Sequence, residues 1–316
     1  MTSARAFWTV SPGRGEVREE ILAPPGPADV LVRTLATGVS RGTEALVFAG
    51  RVPPDQFEAM RAPLMGGAFP FPVKYGYCAV GVRPDRRRVF VLHPHQDAFH
   101  APAAMCVDVP DAIPTNRAVL AANMETALNI YWDAAPLAGE RILLIGAGVV
   151  GLLAASLFVH VPAARVTVVD TNPARAAIAA ALGCVFASPD AAPRDQELIV
   201  HASASEAGLR LALDRAAFEA RIVEASWYGD AMPAVPLGGA FHARRLRLIA
   251  SQVGAVAAPM RGRRTYAQRL ATALALLDNP AYDALLEGPT PFRDLPAAMP
   301  RILAAGGLCH VIAYES

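Results

Sequence analysis

Over the first 112 residues, apolar, β-branched and aromatic positions come in short runs: residues 5–10 (RAFWTV), 29–39 (DVLVRTLATGV), 74–82 (KYGYCAVGV) and 87–95 (RRVFVLHPH). Proline and glycine clusters, SPGRG, APPGP and MGGAFPFP, separate them, which predicts a small all-β unit. Residues 83–88, RPDRRR, read as a solvated charged turn. After Pro114 the rhythm changes. Residues 118–132 predict a helix. From 141 onward apolar strands, at 141–146, 165–170, 184–187, 197–203, 221–227 and 245–251, alternate with Ala- and Leu-rich helical stretches. That alternation implies right-handed βαβ units on a parallel sheet. Helices are expected at 265–277 and 294–304, and a last strand at 308–314. The expected fold is therefore α/β: a Rossmann-type parallel-sheet domain over 115–285, and a β-rich domain from 1–114 to which 286–316 return.

Composition narrows the function classes. The 316 residues are 53 % hydrophobic and 18 % charged, enough to bury two cores. A formal net charge of +1 gives no general field for nucleic acid or an anionic membrane, so the expected partners are small molecules. Cys78, Cys106, Cys184 and Cys309 lie far apart without C-x-x-C spacing, which fits a reduced, cytoplasmic setting. The N-terminus reads as mature protein. Residues 142–161 are apolar enough to imitate a membrane span, but Gly146, Gly148 and Gly151 in a turn pattern, and another strand close behind, argue for strand, turn and buried helix.

The strongest motif is Gly146-Ala147-Gly148-Val149-Val150-Gly151, between a strand and a helix. In a dinucleotide fingerprint the first glycine allows the tight turn, the second lets the backbone approach a diphosphate, and the third lets helix and strand pack closely. The helix start, at Val149 and Val150, would offer N–H groups to the phosphates. Asp170 ends the next strand, 19 positions after Gly151, where a carboxylate can take both adenosine ribose hydroxyls and repel a 2′-phosphate. NAD(H) is thus expected over NADP(H), with Arg175 either weakening that preference or facing solvent. The bland alternative is that the glycines mark only a close helix–strand contact and Asp170 a helix N-cap.

The order of parts resembles the medium-chain dehydrogenase/reductase superfamily over nearly the whole chain. Besides the glycine motif, Gly38-Val39-Ser40-Arg41-Gly42-Thr43-Glu44 is similar to its G-[IV]-C-x-T-D segment and residues 75–81, YGYCAVG, to its G-H-E-x-x-G. Residues 125–127, ETA, match the segment approaching the nicotinamide, and 248–254 the strand used for dimerisation. The resemblance implies a GroES-like catalytic domain, an active-site cleft and a homodimer. The usual zinc-ligand positions carry Ser40 (or Arg41), Tyr77 and Ala122, and the cysteine-rich lobe is missing, so no zinc is expected. The S-x-G-T-E pattern resembles a zinc-ligand-lacking subgroup that includes bacteriochlorophyllide hydroxyethyl dehydrogenases; it assigns no substrate.

Without a metal, side chains must meet the charge that hydride transfer develops on oxygen. Tyr77 stands at a ligand position and is either that donor or a core tyrosine. Ser40 and Thr43 either pass a proton or belong to a turn with Thr43 as helix cap. Arg41 lies either near the diphosphate or at the surface, and His95 is either a proton carrier or a loop histidine. Glu125 is either a general acid–base or an arginine partner. By resemblance Thr126 faces the nicotinamide, and His201 ends a strand where cofactor contacts are expected. Trp227-Tyr228-Gly229 either flank the pocket or only pack, and Arg261, Arg263 and Arg264 either bind an anion or are solvated. Met60, Met65 and 69–71 either shape an apolar entrance or form a plain loop. The leading expectation is a zinc-independent dehydrogenase/reductase of an alcohol/carbonyl pair. An enoyl or quinone reductase and a non-catalytic dinucleotide-binding protein are the alternatives.

Overall fold

The computed structural model describes residues 2–315. The chain divides into two compact units, Met1–Ala122 with Leu270–Ser316, and Asn123–Arg269.

The first unit is built from antiparallel strands. Ser3–Ser11 and Arg14–Ile21 form a hairpin around the predicted Pro12–Gly13 turn, with Gly13 at φ +72°. They belong to a four-stranded sheet with Val73–Lys74 and Gly66–Gly67. A larger sheet runs, in order, Leu286–Pro291, Cys309–Ala313, Asp29–Val39, Ala79–Val82, Arg88–Val91 and Val107–Asp108, and Ala98–Pro102 pairs with the first half of Asp29–Val39. Its first two strands are parallel and are joined by the helix Leu295–Ala304. The run at 74–82 is not one strand. Gly76, at φ +130° and packed against His95, breaks it, so that regular pairing resumes only at Ala79. Residues 83–87 form the exposed hairpin tip. Two apolar clusters hold this unit: Phe7, Val39, Phe48, Phe292, Leu295 and Ile312 in one, and Val32, Val89, Val91 and Phe99 in the other.

The second unit carries a six-stranded parallel sheet: β1 (Arg141–Ile145), β2 (Arg165–Val169), β3 (Val185–Ala187), β4 (Gln196–His201), β5 (Ala216–Glu224) and β6 (Arg247–Ala250), in the spatial order 3-2-1-4-5-6. The order reverses between β1 and β4, where a doubly wound sheet opens a crevice at its carboxyl edge. β1 is buried at four of five positions, which explains its unbroken apolar run. Leu143, Ile199, Leu213 and Ile222 lie in its core cluster. The helix expected at 118–132 is interrupted at Val119 and Leu120: a short helix, Thr115–Ala118, precedes Ala121–Ala134. No helix among the described residues is long and apolar enough to cross a membrane.

Candidate functional site

At the end of β1, Gly146 turns the chain at φ +108°, where a Cβ would lie 2.8 Å from the carbonyl carbon and oxygen of Ala202. A Cβ on Gly151 would lie 1.9 Å from the Gly146 carbonyl oxygen. Packing within the protein therefore requires both glycines. Gly148 is different. It is exposed, adopts φ −74° and ψ 178°, and a Cβ there would meet nothing within 4 Å. The helix–strand contact alone accounts for Gly146 and Gly151 but gives no reason for Gly148, whereas a diphosphate approaching the backbone does. Gly148 is the N-cap of the helix Val149–Phe158, and its carbonyl accepts the Leu152 N–H at 2.9 Å. Helix geometry leaves the N–H groups of Val149, Val150 and Gly151 without partners inside the helix, at its positive end. The residues present fit a dinucleotide diphosphate.

Asp170 follows β2. Its Oδ2 accepts the Ala147 N–H at 2.7 Å and its Oδ1 the Asn172 N–H at 2.8 Å, so the carboxylate is tied to the glycine turn. It is not a helix N-cap: the next helix, Arg175–Ala181, has Ala174 in that position. Each oxygen keeps acceptor capacity for a ribose hydroxyl.

Beside the glycine turn, the carboxyl ends of β4 and β5 carry a polar cluster. The fully buried His201 places Nδ1 2.7 Å from Glu224 Oε2 and Nε2 2.7 Å from Ser203 Oγ, which in turn lies 2.8 Å from Ser205 Oγ. Glu224 also accepts the Ser226 N–H at 2.8 Å and the Tyr228 hydroxyl at 3.2 Å. Burial acts to raise its pKa. The hydrogen bond and charge of His201, with the two bonds from Ser226, more than offset this and hold the carboxyl below its usual range.

Glu125 has a different role from the general acid–base reading. On the helix Ala121–Ala134, its Oε1 accepts from Arg269 Nε at 3.0 Å; the same guanidinium donates to Asn129 Oδ1 at 2.7 Å and to the carbonyls of Val253 (2.6 Å) and Ala255 (3.1 Å). Both residues are buried, and burial raises the Glu125 pKa against the lowering effect of Arg269. The carboxylate is a structural counter-charge that lets one arginine clamp the segment after β6. Thr126 follows it, half-buried.

In the first unit the predicted residues come together. The Tyr77 hydroxyl donates to Ser40 Oγ at 2.7 Å and has a second hydrogen-bond partner in the Thr43 side chain. The Ser40 N–H donates to Glu44 Oε1 at 2.7 Å, and Glu44 Oε2 lies 2.9 Å from His95 Nε2. His95 Nδ1 is 2.6 Å from Thr37 Oγ1, itself 3.2 Å from the Tyr314 hydroxyl. Ser40, Glu44, His95 and Thr37 are buried, whereas Tyr77 and Tyr314 retain some exposure. Burial pushes the Tyr77 phenol well above its ordinary pKa, so it is a hydrogen-bond donor at neutral pH. His95 does lie in a loop between strands, but it is fully rather than partly buried. Thr43 is not the helix cap either: Ser40 is the N-cap of Arg41–Phe48, and Thr43 lies in the first turn. Arg41 is no plain surface residue: it is half-buried, and its guanidinium donates to the carbonyls of Leu303 (2.9 Å) and Gly307 at the carboxyl end of the helix Leu295–Ala304.

Thr37, Tyr314, Ser203 and Glu224 were not singled out from sequence. Their partners lie 2 to 277 positions away, and only the short spacings Ser203–His201, Ser203–Ser205, Glu224–Ser226 and Glu224–Tyr228 leave a local trace.

A zinc ion does not fit these residues. A hydroxyl at Ser40, a phenol at Tyr77 and a methyl at Ala122 supply no thiolate, imidazole or carboxylate. Burial raises the Cys78 and Cys309 thiols, the latter to about 12, and among the described residues no group of three His, Cys, Asp or Glu is placed to hold a metal.

No family model matches the sequence, and no curated protein matches it. The fold is nevertheless that of solved dehydrogenase structures. A benzyl alcohol dehydrogenase from Acinetobacter calcoaceticus matches over 100 % of both chains with a TM-score of 0.79 at 13 % identity. An Escherichia coli chain named as an alcohol dehydrogenase and complexed with NADH matches with a TM-score of 0.79 at 15 % identity, covering 99 % of this chain and 100 % of that one. A Sinorhizobium meliloti chain named as a zinc-binding dehydrogenase and bound to NADP has the same score, identity and coverage.

Proposed function

We propose that this chain is a zinc-independent, nicotinamide-dependent oxidoreductase that interconverts an alcohol and a carbonyl, in the manner of the medium-chain dehydrogenase/reductase superfamily. The observation that carries the reading is the open Gly148 between two glycines that packing requires. It marks a place where the backbone is kept bare for a ligand. Gly146, Gly148, Val149, Val150 and Gly151 hold the diphosphate, and Asp170 holds the adenosine ribose and disfavours a 2′-phosphate, so NAD(H) is preferred to NADP(H). Thr126 completes the cofactor side, and His201, fully buried, acts there only through the side chains it holds. When bound, the cofactor supplies or accepts the hydride.

Tyr77 meets the oxygen on which charge develops. In reduction the Ser40 hydroxyl, which takes the phenol proton when no substrate is bound, turns to donate to the phenol oxygen, and the Tyr77 O–H, kept protonated by burial, then donates to the carbonyl oxygen and gives it its proton. Ser40 and Thr43 hold the phenol in place, and through their hydroxyls a proton from solvent replaces the one that Tyr77 gives to the substrate. Glu44 fixes Ser40 through its N–H, and His95 braces Glu44 from behind. Arg41 and Glu125 support the site through structural contacts, Arg41 to a helix end and Glu125 to Arg269. The outer edge of β6 has no pairing strand among the described residues and carries the exposed Leu248, which supports a homodimer through that edge.

The test is a steady-state survey of alcohols, aldehydes, ketones, enones and quinones, read by nicotinamide absorbance, for the parent chain and Tyr77→Phe. Turnover of an alcohol or simple carbonyl that falls in the variant supports the proposal. Turnover confined to enones or quinones, or unchanged in the variant, overturns it.

A further inference from the structure

We infer that Ser203, oriented by His201 and Glu224, binds a hydroxyl of the second ribose of the dinucleotide and thereby selects the whole dinucleotide over its adenosine half. The inference rests on the functional reading above.

The residues occupy the right edge of one unit. β1, β4 and β5 are neighbours in the parallel sheet, with Ile145 paired to His201 and His201 to Glu224, so that all three strands end at one level. The Gly146 turn packs directly on the backbone of Ala202 and Ser203. A diphosphate held at Gly148 therefore continues past Ser203 when it runs from the adenosine side, marked by Asp170 after β2, across the β1–β4 crevice.

The chemistry of the cluster explains what it does there. Glu224 is ionised, because its carboxyl is held below the usual range, and is fixed by the Ser226 N–H and the Tyr228 hydroxyl. Its Oε2 accepts from Nδ1–H of His201, and in the neutral tautomer that carries its proton on Nδ1 the Nε2 atom is an acceptor. That acceptor takes the Ser203 hydroxyl proton at 2.7 Å and points the oxygen lone pairs of Ser203 outward, ready to accept from a ribose hydroxyl. Ser203 is partly exposed, while His201 is fully buried and cannot reach a ligand itself. Packing is tight enough to preserve the arrangement: a Cβ on Gly208 would lie 2.3 Å from Ser203 Oγ and 2.6 Å from His201 Nε2. Ser203 is the binding residue, and His201 and Glu224 are positioning residues.

The experiment compares NADH and AMP binding by calorimetry in the parent chain, Ser203→Ala, Glu224→Leu and Glu224→Gln. AMP lacks the second ribose and serves as the internal control. Loss of one hydrogen bond predicts NADH weakened about 3- to 10-fold in Ser203→Ala, with AMP unchanged. Glu224→Leu should match or exceed that loss. Glu224→Gln, whose amide oxygen can still accept from Nδ1, should restore most of it. Equal losses for NADH and AMP, or an unchanged NADH-to-AMP ratio in both Ser203→Ala and Glu224→Leu, overturn the inference while leaving the functional reading intact. A parent chain that binds neither compound overturns both.

Discussion

Alanine placed in turn at Gly151 and at Gly148 separates packing from ligand binding within one turn. At Gly151 the new methyl would sit 1.9 Å from the Gly146 carbonyl oxygen, a backbone atom in a turn that is itself packed on Ala202 and Ser203. An ordinary carbon–oxygen contact is more than 1 Å longer, so helix and strand must part. Such overpacking costs about 1–3 kcal/mol or more, and Gly151→Ala should lower the melting temperature by several degrees. At Gly148 the φ and ψ suit any residue and the methyl meets open space, so stability should stay within about 0.5 kcal/mol of the parent. The same methyl, however, would occupy the place assigned to the diphosphate and hold it off the first-turn N–H groups. NADH affinity should fall at least tenfold, which corresponds to about 1.4 kcal/mol. Thermal denaturation and calorimetric titration of the same two proteins give both quantities. If Gly148→Ala binds NADH as tightly as the parent, the open glycine does not face the diphosphate and the reasoning fails.

Other consequences are testable in the same way. Asp170→Ala should reduce the preference for NADH over NADPH about tenfold or more, read as the ratio of their dissociation constants; an unchanged ratio contradicts the role given to the carboxylate. Tyr77→Phe should keep NADH binding and near-parent stability but lower turnover about 100-fold or more once a substrate is found. Arg269→Met strands the buried Glu125 and should cost about 3–5 kcal/mol in denaturant unfolding, whereas a loss below about 1 kcal/mol shows the pair to be unimportant. His93 is buried, stacked on Phe99 at 3.6 Å, and burial lowers its pKa to about 3. Its folded pKa lies below its unfolded value, so its contribution is complete above about pH 6.5 and is lost as the pH falls toward 3, at a little over 1 kcal/mol per pH unit. His93→Phe should flatten stability against pH in that window.

The parallel sheet could be read from sequence because both of its signals are local. Apolar runs such as 141–145 are strands buried on two faces, and the glycine spacing 146–148–151 encodes a turn within six residues. The side-chain partners could not. Glu44 meets His95 across 51 positions and Arg269 meets Glu125 across 144, and no periodicity in either segment reports on the other. Thus Tyr77, Ser40, Thr43 and His95 could be singled out as polar residues of the right type, whereas Thr37 and Tyr314, which complete their hydrogen-bond chain, could not. Arg41 shows the same limit from the other side: nothing local in its segment reports that the carboxyl end of a helix more than 250 positions away takes two of its donors. The break at Gly76 was likewise hidden, because the glycine is needed only once His95 packs against it.

The most direct test of the account is a fluorescence titration of NADH, and separately of NADPH, with the purified parent chain. The account predicts saturable binding of NADH at one site per chain, tighter than that of NADPH and abolished in an Asp170→Ala, Gly148→Ala double variant that remains folded. Failure of NADH to saturate the folded parent chain would contradict it.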